Sequence, residues 1–226
     1  MRILQGTVAL SATDLANHLS CRHLTTLDLR LARGEIAEPS WDNPHLRVLQ
    51  QRGLAHEKAY IEWLRSKGVT VVDLSNEQEA ATWAAMKSGT EVIVQASLAS
   101  GPWRGRADVL LRVEQPGKLS RIGNWFYEAV DCKLARETKA ETILQLCLYS
   151  QLLAELQGLE PEFFHVMRPY TRFEPESYRL ASFAAYYRVV KRTLQEAVNA
   201  GAGGTYPEPV RDRGIRTDSR TGTNSA

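Results

Sequence analysis

At 226 residues the chain is long enough for one domain with a full hydrophobic core. Its 43% hydrophobic and 24% charged residues are the mixture of an ordinary globular protein, which excludes a disordered or collagen-like chain. No apolar run approaches the roughly 20 residues needed to cross a bilayer, so no membrane partner is expected.

The opening MRILQGTVALSATDL is too short an apolar stretch for a signal peptide, and the expected location is cytoplasmic. Three cysteines, Cys21, Cys132 and Cys147, are widely spaced and form no C-x-x-C pair, so neither a disulfide framework nor a zinc site is expected. The net charge of +2 resides entirely in the last 16 residues, which hold four Arg and two Asp. The rest is formally neutral, so any basic surface must be local.

In chain order, SATDLANHLSC predicts a helix capped by Ser11 or Thr13, and HLTTLDLRLARG a second one ended by Gly34. EIAEPSWDNP is a loop. Over Leu46 to Lys67, the residues Leu46, Leu49, Gly53, His56, Tyr60 and Trp63 recur at steps of three and four, which predicts a helix with one inward face. VTVVDLS is a short strand, and EQEAATWAAMKSG is a helix stopped by Gly89. EVIVQASLAS, WRGRADVLLRVE and RIGNWFYEAVDCK are three strands of an antiparallel meander, with a turn at Gln115-Pro116-Gly117-Lys118. A helix over 138–157, a strand in EFFHVMRPY and a helix from about Ser182 to Ala200 complete the ordered chain. The fold class is α/β: a small mixed sheet flanked by helices (69–200) with a helical N-terminal part (11–68).

Polar residues cluster where the core should be. Strict alternation places Arg106, Asp108 and Leu110 on one strand face and Ala107, Val109 and Leu111 on the other. Asp131 and Lys133, two apart, share a face of the next strand, and a hairpin-length connection lets Asp108 and Asp131 stand side by side. Neighbouring carboxylates repel unless a cation lies between them. Hard oxygen donors with room for water suit Mg2+ or Mn2+, and a lysine beside such an ion can orient water or offset developing charge. Taken singly, Asp131 and Lys133 also read as a strand-edge ion pair, and Gln145 and Tyr149 as helix neighbours one turn apart. Glu128 falls on the opposite strand face and reads as structural. Arg104, Arg106, Arg136 and Lys139 form the best local basic patch, able to guide phosphates. Trp103, Trp125, Phe126 and Tyr127 read as core more than as base-stacking platforms.

The series Gly105-Arg-Ala-Asp108, Asp131-Cys-Lys133 and Gln145-Leu-Cys-Leu-Tyr149, preceded by Gly53-Leu-Ala-His56-Glu57, resembles the RecB-like exonuclease branch of the PD-(D/E)XK nuclease superfamily. The resemblance covers roughly residues 9 to 210 and implies a restriction-endonuclease-like core. It implies that His56, Asp108, Asp131 and the main-chain carbonyl of Cys132 bind the metal. Lys133 is then the catalytic lysine, and Gln145 and Tyr149 support the site and contact the nucleic-acid strand. The expected substrate is DNA, with single-stranded ends favoured, in repair or recombination, and a helicase or further nuclease domain is a possible partner. Two other readings stay open. One is a degenerate or truncated nuclease domain that binds DNA or serves as a structural module of a helicase-nuclease. The other is a hydrolase of a small phosphoester.

Many such relatives hold a [4Fe-4S] cluster on four cysteines. Cys21 matches the first position as a remnant, but the three that should follow the last helix are absent, so no iron-sulfur cluster is expected. The domain is expected to span 1–205, and residues 206–226 read as a disordered, truncated or frame-shifted tail.

Overall fold

The structure, a computed structural model, describes residues 1–38, 43–169 and 171–201, so the expected tail lies outside the described residues. The chain begins with a hairpin not foreseen from sequence, β1 (Arg2–Leu4) and β2 (Thr7–Ala9). Helix α1 (Ala12–Ser20) follows, with Ser11, not Thr13, at its N-cap. Asp14 reaches back to the Ser11 amide (2.7 Å) and also takes the Met1 ammonium (2.6 Å), which ties hairpin to helix. Then come α2 (Arg22–Ala32) and α3 (Pro44–Ser66), the latter started by Asn43, whose side chain accepts the amides of His45 and Leu46.

The remaining elements are β3 (Val71–Asp73), α4 (Glu79–Lys87), β4 (Val92–Ser100), β5 (Trp103–Glu114), β6 (Trp125–Cys132), α5 (Ala140–Gln157), β7 (Phe163–Met167), β8 (Glu176–Arg179) and α6 (Ala184–Asn199). Strands β3 to β8 form one mixed six-stranded sheet in chain order. The expected meander β4-β5-β6 is antiparallel, closed by the Gln115-to-Lys118 turn, where Gly117 supplies the positive φ. The β3–β4 and β6–β7 pairs are parallel, and α4 and α5 are their crossovers.

Helix α5 is apolar nearly all round, and it is buried nearly all round: it lies on β4 to β7 and is covered by α1 and α6. Its leucines, with Ala107, Leu110, Tyr127, Ala129 and Phe164, form the larger core. The opposite face of the sheet is covered by α3, through Tyr60, Ile61 and Leu64 against Val94, Val109, Val130 and Met167.

Two sequence expectations need correction. The stripe from Leu46 to Trp63 is not one buried face: Leu46 and Leu49 are exposed, as are Val48 and Leu54. A 23-residue helix runs about 35 Å, and only its C-terminal half reaches the sheet. Each leucine left in water forgoes roughly 1.5–3 kcal/mol that burial would supply.

Alternation along β5 also breaks. Ala107 and Leu110, three apart, enter the same core, while Val109 enters the other. The cause lies on the paired strand. Gln95 has φ +54, and the β4–β5 ladder omits only the Gln95–Asp108 step between Val94↔Val109 and Ala96↔Ala107. Both strands turn over at that step without losing register.

Candidate metal centre

The β5–β6 ladder ends at Val109↔Val130, so Asp108 and Asp131 are the next step, where the strands part. Asp108 Oδ2 accepts the Cys132 amide (2.9 Å), a side chain standing in for the strand. Asp108 thereby occupies the seam at which β5 changes faces. It is half-buried, and Asp131 beside it is fully buried.

Asp131 Oδ1 accepts Lys133 Nζ (2.9 Å) and Gln145 Nε2 (2.8 Å). Oδ2 lies 2.8 Å from the same ammonium and, among the described residues, accepts no hydrogen bond. Burial, and next the Asp108 carboxylate, push the Asp131 carboxyl up to about 7 against the pull of Lys133. Burial draws the Lys133 pKa down, but Asp131 outweighs it and the ammonium is held above its ordinary range.

Gln145 also donates to Tyr149 Oη (3.3 Å), and burial raises that phenol, keeping it protonated. The Tyr149 ring rests on Gly105: a Cβ there would stand 2.4 Å from Tyr149 Cε1. A chain of contacts therefore runs Gly105, Tyr149, Gln145, Asp131, Lys133, and it accounts for the glycine three residues before Asp108.

Helix α3 presents His56 and Glu57 to the other side of the seam. The His56 Nε2–H donates to the Met167 carbonyl (3.2 Å), which also accepts the Lys133 amide (2.9 Å). Glu57, to which the sequence reading assigned no role, accepts Gln95 Nε2 at 2.6 Å. Burial raises its pKa, the Gln95 hydrogen bond opposes this, and the Asp108 and Asp73 carboxylates raise it further. Helical periodicity could have exposed it: adjacent residues sit about 100° apart, so a helix facing the sheet with His56 brings Glu57 to its flank.

Asp108, Asp131, Lys133, Gln145 and Tyr149 are thus brought together, and His56 stands beside them on α3, sharing the Met167 carbonyl with the Lys133 amide. Among the described residues no group of three or more His, Cys, Asp or Glu side chains converges on a point where it could hold a metal ion. The donor chemistry nonetheless fits a hard divalent ion: two adjacent carboxylates, one with a buried oxygen that is ion-paired to Lys133 but accepts no hydrogen bond among the described residues.

Cys132 packs toward α3, its thiol pushed up by burial, and Cys21 is the N-cap of α2. Glu128 does lie on the other sheet face, where it accepts the Phe163 amide and pairs with His165 (2.9 Å). Trp103, Phe126 and Tyr127 are core and Trp125 is half-buried. Arg104 donates to the carbonyls of Gly101 and Trp103. Arg106 donates to those of Leu74, Ser75, Gln95 and Glu77, which staples the β3–α4 connection to the sheet. Arg136 and Lys139 stay exposed in the loop before α5.

No helix among the described residues is long and apolar enough to cross a membrane. Compared with models of known protein families and with curated proteins, the chain matches none.

Proposed function

We propose that the chain is a metal-dependent phosphodiester hydrolase. More narrowly, we read it as a Mg2+- or Mn2+-dependent DNA nuclease of the RecB-like type with a PD-(D/E)XK core, acting by preference on single-stranded ends. The observation that carries the reading is the Asp131 carboxylate, buried beside Asp108 and bonded to Lys133 and Gln145.

Each residue has a definable task. Asp108 and Asp131 supply hard oxygen donors. A divalent ion bound there would lower the pKa of water and neutralise phosphodiester charge. Lys133 places a permanent positive charge where negative charge grows on the phosphate and can orient the attacking water. Gln145 fixes the Asp131 carboxylate, and Tyr149 fixes Gln145 against Gly105. By the resemblance, the product carries a 5′-phosphate.

The test is cleavage of end-labelled single-stranded DNA in Mn2+, with Lys133→Ala and EDTA alongside. The expected result is cleavage by the wild type alone; equal cleavage by Lys133→Ala sinks the assignment. A second reading, a degenerate domain that binds DNA or serves a helicase-nuclease as a module, is favoured by the lack of convergence of three ligands among the described residues. DNA binding that survives Asp108→Ala, with no cleavage in any divalent metal, would select it.

A further inference from the structure

Resting on the reading of the chain as a metal-dependent nuclease, we propose that the cleft between α1 and α5 is a base-binding subsite, in which Glu141 and Asn17 select an amino-bearing base beside the cut over thymine.

The cleft lies between one stripe of α1, which carries Ala12, Ala16 and Asn17, and the first turns of α5, which carry Glu141 and Gln145. Positions 12 and 16, like 141 and 145, are four apart, so each pair shares a helix face. Ala12 and Ala16 reach no further than a methyl group, and a space of about 300 Å3 stays open between the helices. That is the small end of the range for ligand sites, enough for one base and not for a folded strand. Gln145 is part of the wall, and its amide nitrogen also holds Asp131 Oδ1 at 2.8 Å. A ring seated in the cleft therefore stands one side chain away from the carboxylate of the proposed metal centre.

The walls choose the occupant. No Lys or Arg lines the cleft and one carboxylate does, so it disfavours phosphate and suits an uncharged ring. No aromatic ring lines it either, so selection falls to hydrogen bonds and not to stacking.

The walls are also richer in free acceptors than in free donors. Both N–H groups of Gln145 are spent, on Asp131 and on Tyr149 (3.3 Å), while its Oε1 has only Lys133 Nζ, at 3.5 Å. Asn17 gives Nδ2 to Asp28 (2.9 Å), which leaves its Oδ1 facing outward demand, and Ser20 spends its hydroxyl proton on the Asn17 carbonyl (3.1 Å). Glu141 is exposed and as a carboxylate can only accept. Acceptors call for amino groups on the base. Cytosine, adenine and guanine each carry one, whereas thymine has a carbonyl oxygen where cytosine has its amino group. A single strand leaves those edges free to turn into such a cleft.

The experiment compares kcat/KM of the full chain on oligodeoxycytidylate and oligothymidylate of one length in Mn2+, with bis(p-nitrophenyl) phosphate as a diester that carries no base. The wild type should prefer oligodeoxycytidylate by at least about tenfold. Glu141→Ala should bring the ratio to within about threefold of unity. Glu141→Lys, a donor in place of an acceptor, should turn it toward oligothymidylate, which a merely structural role of Glu141 would not do. Because an acid in the first turn also favours the helix dipole, melting temperatures are read beside the ratios to show that each variant is folded. Ala16→Leu, which fills the cleft, should raise KM for both oligonucleotides severalfold. A wild-type ratio near unity, a ratio that Glu141→Ala leaves unchanged, or cleavage of the base-free diester alone overturns the inference and leaves the metal centre standing. A wild type that cleaves neither the oligonucleotides nor the diester overturns the nuclease reading itself, and this inference with it.

Discussion

Tyr149 occupies the space that a side chain at position 105 would need: a Cβ on Gly105 would stand 2.4 Å from Cε1 and 3.0 Å from Cδ1 of the ring. The ring cannot yield freely, because Tyr149 is buried in α5 and its hydroxyl is the acceptor that orients Gln145.

Gly105→Ala is therefore expected to cost about 1–3 kcal/mol of stability through overpacking and to lower metal-dependent cleavage by displacing Gln145. In a Tyr149→Ala background the same substitution should cost much less. Urea denaturation of the four proteins of this cycle measures the coupling, and strictly additive effects would dissolve the proposed contact.

Stability should fall as pH rises. An unfolded aspartate titrates near about 3.9. In the fold, burial and next the Asp108 carboxylate push the Asp131 carboxyl up to about 7, so its contribution is complete in acid and is lost as the pH rises from the unfolded value through the folded one. Melting in EDTA should show a decline from about pH 4 to about pH 7 that Asp131→Asn removes. Excess Mn2+ should restore stability at the alkaline end, because it binds the ionised form. A wild-type melting temperature that is level over this range in EDTA would contradict the buried carboxyl.

Arg106 reads in the sequence as a phosphate guide, yet its guanidinium is engaged by main-chain carbonyls around the β3–α4 connection. Arg106→Ala should destabilise the fold by about 1–3 kcal/mol. It should leave the slope of DNA affinity against salt concentration unchanged, whereas removing a true phosphate contact lowers that slope by about one. Titrations at several salt concentrations decide between these roles.

The contrast between Arg106 and Gly158 shows what could be read in advance. Glycines that stop helices act locally: Gly34, Gly89 and Gly158 all have positive φ just past the helices they end, and the helix boundaries followed within a few residues. The D-x-K pair and Q-x-x-x-Y were equally visible, because two-residue and four-residue spacings place side chains without tertiary knowledge. Gln95 was not. Nothing in a glutamine announces a left-handed backbone, and the alternation argument for Asp108 failed at that step. The short strands β1, β2 and β8 escaped notice because three or four residues carry too little periodicity. The partners of His56 and Glu57 are Met167 and Gln95, far away in the chain, and no helical pattern records which neighbour each residue will meet.

The Met167 carbonyl receives two donors, the Lys133 amide and the His56 ring. One oxygen thereby joins the last rung before the lysine to α3, the helix that covers that side of the sheet, and the two should open as a single unit. Hydrogen exchange at the Lys133 amide would then report on the docking of α3. Loosening the helix, by substitution of His56 or by traction on its exposed N-terminal half, should speed that exchange while amides at the centre of β5 keep their protection. The site would then carry its own strain gauge, readable without any substrate.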